Sequence, residues 1–317
     1  MTSYFKSPPF YITLIIMAFV TFMYFNFKDK YVLDYDNPSQ VVVNKKWPLP
    51  RALEEVSGIS HVNDNIIACV QDEEGIIFLY NLENEGVERE INFGEQDDYE
   101  GIAIVSESAY VVNSAGKLFE IRNFKQEDFE VIIYENFLTE DHNVEGLCLD
   151  KTKNRLLLAC KDNPDHRGNF KSIYAFDLKT KQVGKEPIYK LTYDNPIFDN
   201  FEEDKDEKLF RTSEIAIHPK TKDIYLLDGA IPKILILNKN WEAQELLVLD
   251  PEIFLQPEGL SFNTNGDMFI ANEGDLKSSN ILHVSLEEKK TSKKQSSENS
   301  NKNGNLDEFI DDPSSQI

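Results

Sequence analysis

The sequence predicts an all-β protein: a single β-propeller of four-stranded blades, five by count with room for a sixth, following an N-terminal transmembrane helix. Three observations predict it. A motif of the form E-G-apolar recurs along the chain, short apolar runs alternate with Gly-, Asn-, Asp- and Pro-containing turns, and one uncharged apolar stretch lies near the N-terminus.

That stretch comes first in the chain. Residues 10–27 read FYITLIIMAFVTFMYFNF, eighteen residues without a charge, close to the lower limit for a helix crossing a bilayer. Tyr4, Phe5, Phe10 and Tyr11 precede or open it and Tyr24, Phe25 and Phe27 close it, as in interfacial aromatic belts. No small-residue cleavage site follows, so residues 1–30 read as an uncleaved signal anchor rather than a secretory leader. The basic residues are split between Lys6 on one side and Lys28 and Lys30 on the other. The reading taken is a single-pass protein of the cell membrane, with the N-terminus inside and the propeller exported.

Residues 31–46 form a polar connector that ends in a strand, QVVVNKKW running to Trp47. Residues 47–286 carry the repeat. EVSGIS, DYEGIAIV, NVEGLCLD, RTSEIAIHP and QPEGLSFN align, with Gly58, Gly101 and Gly146 spaced by roughly 45 residues, a propeller period. The next interval, to Glu214, is longer by about half and holds insertions near 162–170 and 195–208, the second with the makings of a short helix. Each unit continues with a second strand, a third and a fourth; SAYVVN, KLFEIRN and FEVIIYE show this best. The last unit lacks its fourth strand, and Val41–Val43 are placed to supply it and close the ring. Residues 287–317 are a polar tail that cannot bury a core.

The order DYEGIA, AIHP, QPEG, with LPRALEEVSGIS before it and LLLACKD within it, resembles the SdiA-regulated (YjiK-like) family over about 47–286. The resemblance implies a membrane-anchored or exported propeller and names no activity. SEIAIHP departs from the pattern, because Glu214 stands where the other repeats have Gly.

Composition narrows the function. Fifty-six acidic against 33 basic residues give a net charge of −23, which repels phosphate backbones and excludes nucleic acid as a partner. Cys69, Cys148 and Cys160 each sit in an apolar run and read as buried free thiols, with one Cys148–Cys160 bridge left open. The five histidines show no metal-binding spacing, and no nucleophile elbow or phosphate loop is present.

The candidate site follows from the hairpins. Ser57, Glu100, Glu145, Ser213 and Glu258 open the first, innermost strand of each unit. Asp72, Asn113, Lys161, Asp228 and the pair Asn272 and Glu273 close the second strand. Strand start and strand end lie at the same end of a hairpin, so both sets converge on one mouth of the central channel. Glu100, Glu145 and Glu258 are the candidate metal ligands, and their hard oxygens favour Ca2+. The leading expectation is a binding or sensing module for a cation with a small molecule or peptide. The alternative is a calcium-dependent hydrolase. Propellers resembling the gluconolactonase and regucalcin group, or phytase, also place a metal at the mouth.

Overall fold

The computed structural model describes residues 41–164, 169–199, 209–274 and 278–286. The predicted anchor and the tail lie outside them. Among the described residues no helix is long and apolar enough to cross a membrane.

The chain opens with β1 (Val41–Pro48) and then builds its blades in order. Blade 1 holds β2 (Val56–His61), β3 (Ile66–Gln71), β4 (Ile76–Asn81) and β5 (Gly86–Asn92). Blade 2 holds β6 (Tyr99–Val105), β7 (Ser108–Asn113), β8 (Leu118–Arg122) and β9 (Glu130–Tyr134). Blade 3 holds β10 (Val144–Asp150), β11 (Arg155–Cys160) and β12 (Phe170–Asp177), with its outer edge divided between β13 (Gln182–Val183) and β14 (Tyr189–Thr192). Blade 4 holds β15 (Thr212–Ile217), β16 (Ile224–Asp228), β17 (Lys233–Leu237) and β18 (Ala243–Val248). Blade 5 takes β19 (Pro257–Phe262), β20 (Met268–Asn272) and β21 (Asn280–Leu286).

The fourth strand of blade 5 is β1, antiparallel to β21 from Val41 opposite Leu286 to Pro48 opposite Asn280. The expected closure by Val41–Val43 therefore holds, and the blade count is five. Trp47 locks the seam from the other side, its indole N–H donating to the Leu82 carbonyl of blade 1 at 2.8 Å.

The inner strands β2, β6, β10, β15 and β19 contact one another in a closed ring. Each blade is covered on both faces by its neighbours, which is why its strands read as unbroken apolar runs such as LLLAC rather than alternating ones. The core accordingly divides into five apolar clusters, one at each seam between blades. Tyr80, Tyr99, Phe176, Phe210 and Phe254 are among the fully buried side chains, each contributing ~2 kcal/mol by leaving water.

The second insertion, 195–208, begins with a 3-10 turn at Pro196–Phe198, capped by the Asn195 side chain, and the rest of the stretch that could form a short helix, 200–208, lies outside the described residues. All three cysteines are free, Cys69 and Cys160 buried and Cys148 half-buried, so the bridge left open in the sequence does not form. His218 accepts from the Lys220 and Thr221 amides and shapes a turn.

Candidate functional site

One irregularity is shared by all five blades. The pairing of the inner strand with the second strand skips a residue between Val56 and Gly58, Tyr99 and Gly101, Val144 and Gly146, Thr212 and Glu214, and Pro257 and Gly259. The skipped residues are Ser57, Glu100, Glu145, Ser213 and Glu258, the set that the repeat singles out. A bulge frees its residue from the ladder and re-aims the side chain.

The residue after the bulge is Gly in four blades because the inner strands approach closely there. A Cβ on Gly101 would lie 2.8 Å from Leu147 Cβ, and one on Gly146 would lie 2.7 Å from the Ile215 nitrogen.

The five bulges then divide into two kinds. Ser57 donates to the Tyr99 carbonyl at 2.7 Å, and Ser213 donates to the Pro257 carbonyl at 2.9 Å. Each hydroxyl ties its blade to the first residue of the next inner strand. The two serines are seams, not open site groups.

Glu100, Glu145 and Glu258 gather with Lys161 and Arg211 into one electrostatic cluster. Lys161 Nζ donates to Glu145 Oε1 at 2.7 Å, and the pair is nearly buried. Burial alone would lower the Lys161 pKa, but Glu145 and Glu258 outweigh it and hold the ammonium charged. The Glu100 carboxyl makes no hydrogen bond or ion pair with the described residues. Burial first, then Glu145, Asp98 and Glu258, pushes its pKa up to about 10. Burial and then Glu145 raise Glu258 to about 8. At neutral pH the mouth therefore holds protonated carboxyls beside an ion pair. Among the described residues no group of three or more His, Cys, Asp or Glu is arranged to hold a metal ion.

The remaining predicted residues form the rim or the frame. Asp72 is pushed up to about 6 by burial and then by Glu55 and Glu73, and one of its carboxyl oxygens is buried without a partner among the described residues. Glu273 accepts from Gln256 and adds to the charge that Glu258 feels. Asn113 bridges Asp97 and the Lys117 amide, beside an open depression of about 460 Å³ that Asp98, Lys117, Glu140 and Asn143 also line.

Asp228 and Asn272, read from the sequence as mouth groups, are fully buried framework. Asp228 meets Lys233 at 2.6 Å and accepts from the amides of Arg211, Ala230 and Ile231, so no lone pair is left for a ligand. Asn272 donates to the Asn280 side chain at 3.0 Å.

Two residues of the cluster were not among the candidate site residues. Arg211 lies just before β15, outside the repeated positions. Glu214 was visible as the departure from Gly. Its Oε1 accepts from the Leu147 and Ile215 amides, both at 2.9 Å.

No family model matches the chain, and no curated protein matches it. Among solved structures, a glutaminyl cyclase from Myxococcus xanthus superposes with a TM-score of 0.54 at 12% identity, covering 79% of this chain and 99% of that one. A Bacteroides thetaiotaomicron protein of unknown function gives 0.46 at 11% identity, over 77% and 76% of the two chains. Streptogramin B lyase gives 0.44 at 12% identity, over 77% and 98%. At such identities the likeness concerns the fold alone, and the first of the three carries it.

Proposed function

We propose that the protein is a binding module that takes a small organic cation, by its ammonium end, at the acidic mouth of the propeller. The observation that carries this reading is the Glu100 carboxyl, set among Glu145, Glu258 and Asp98 without a partner of its own. Lys161 is already engaged by Glu145. An arriving ammonium replaces the protons that keep Glu100 and Glu258 neutral, and gains charge-assisted hydrogen bonds in a poorly solvated place. The acidic surface as a whole, at a net −23, draws cations toward it.

Calcium fits the placed residues less well. It would need several carboxylates turned onto one ion, and Glu145 is held by Lys161. The calcium-dependent hydrolase read as the alternative inherits the same difficulty. The uncharged stretch 10–27 supports tethering of the module to a membrane with the propeller exported, and the repeat motifs support a place in the SdiA-regulated family.

Calorimetric titration of the full chain in detergent, with n-butylammonium and separately with calcium, tests the proposal. The expected result is binding of the ammonium with proton release, tighter at pH 8 than at pH 6, seen by comparing buffers of different ionisation heat. No heat and no change in melting with either cation would overturn it. A response to calcium alone would move the site to a metal.

A further inference from the structure

Glu214 stands where the other four inner strands keep Gly58, Gly101, Gly146 and Gly259, directly after the bulge ring. Its side chain has gone inward. Oε1 accepts from the amides of Leu147 on β10 and Ile215 on β15, both at 2.9 Å. Those strands are the innermost of their blades and pair with the second strand on one edge only, so the amides that Glu214 takes belong to the edge that faces the channel. The carboxyl therefore lies on the channel side of the inner strands. It is 1% exposed, and Oε2 is buried with no hydrogen-bond partner among the described residues. Burial raises the Glu214 pKa well above the usual carboxylate range, and Glu258 and Glu145 of the mouth add to the shift.

We infer that Glu214 is the floor of the mouth: it stops the channel below the glutamates, and its unpartnered Oε2 is the position left for the tip of the ligand's cation. The inference rests on the ammonium-binding reading above and adds the shape of the ligand. A blind channel floored by one carboxyl oxygen takes a slim head that donates along the axis, a primary ammonium. It refuses a bulky head with no N–H, such as a quaternary ammonium. Leaving a buried carboxyl oxygen unbonded is unfavourable, and an N–H donor arriving from the mouth relieves it.

Two variants of the full chain test the floor, each titrated with n-butylammonium and with tetramethylammonium. Wild type should bind the first and not the second. Glu214→Gln keeps the plug but has no acidic proton to give up to an arriving cation, and should weaken n-butylammonium ~10-fold. Glu214→Gly gives the fourth blade the residue of the other four, so it is expected to fold; it should open the channel and admit tetramethylammonium. If wild type binds n-butylammonium and both variants match it in affinity and selectivity, Glu214 is not the floor and the inference falls. If wild type itself binds tetramethylammonium as well as n-butylammonium, the inference falls too. If wild type binds neither, the ammonium reading falls first.

Discussion

Glu100 and Glu120 belong to the same blade, both sit in poorly solvated surroundings, and their protonation goes opposite ways. Glu120 lies on β8, facing blade 3. Tyr134 Oη donates to it at 2.5 Å, Lys181 Nζ stands 3.0 Å away and Arg122 Nε 3.3 Å, while Lys181 also meets the Tyr110 hydroxyl and ring. Burial would raise its pKa, but Tyr134, Tyr110, Lys181 and Arg122 outweigh burial and bring it down to about 2. Glu100 has no such donors, so burial wins and the pKa rises to about 10. The same side chain serves as a clasp where donors meet both oxygens, and as a receptive group where none does among the described residues. Partners and depth both count: Glu145, though met by Lys161, is still raised by its burial.

The comparison can be broken most forcefully at the clasp. Glu120→Gln leaves Lys181 and Arg122 without their shared carboxylate and should cost ~3 kcal/mol in urea unfolding at pH 7. A carboxyl whose folded pKa is depressed stabilises above its unfolded value and loses that contribution as pH falls toward the folded one. Wild type should therefore lose stability between about pH 4.5 and pH 2, and the variant should lose less over that range. A variant as stable as wild type would mean that the clasp is a surface contact of little weight.

At the mouth the sign reverses. Glu100 has a raised folded pKa, so the folded protein holds a proton that the unfolded chain releases above about pH 4.5. Stability then falls as pH rises from there toward about 10. Glu100→Gln removes the ionisable group while keeping its size. It should raise stability at pH 8 by ~2 kcal/mol and flatten the decline between pH 6 and pH 9. The same variant should lose n-butylammonium binding. A destabilised Glu100→Gln would show that the carboxyl has a partner in solution and is framework after all.

The repeat made much of this readable. EG at the head of three units, with SG and SE in the other two, marks the bulge, and the strand that closes blade 5 follows from the missing fourth strand of the last unit. Lys161 was legible because it ends a second strand. Asp228 occupies the equivalent place in blade 4 and was misread, since a repeat gives a position along a strand but not what answers the side chain there. Its partner Lys233 opens β17, and the Ala230 and Ile231 amides that Asp228 also accepts from lie in the turn before that strand. Arg211 sits outside the repeated positions. The clasp was invisible for another reason: Glu120 and Lys181 come from different blades and a turn, and only packing brings them together.

The smallest effect is expected at the seams, and it separates the two kinds of bulge most cleanly. Ser57 and Glu100 hold equivalent bulge positions in adjacent blades. Ser57 is buried, and its hydroxyl reaches the Tyr99 carbonyl, one residue before Glu100. Ser57→Ala removes one neutral hydrogen bond and leaves that carbonyl a donor short, which should cost ~1 kcal/mol. The loss should be independent of pH, because no titrating group is removed, and n-butylammonium affinity should be unchanged. Ser213→Ala should behave alike through the Pro257 carbonyl. The informative result is the pairing of the two readouts. Stability should fall in the serine variants with binding intact, and rise in Glu100→Gln with binding lost. If Ser57→Ala weakens binding as much as Glu100→Gln does, the hydroxyl reaches into the mouth. The five bulges would then form one ring of ligand contacts, not a site of three glutamates set between two stitches.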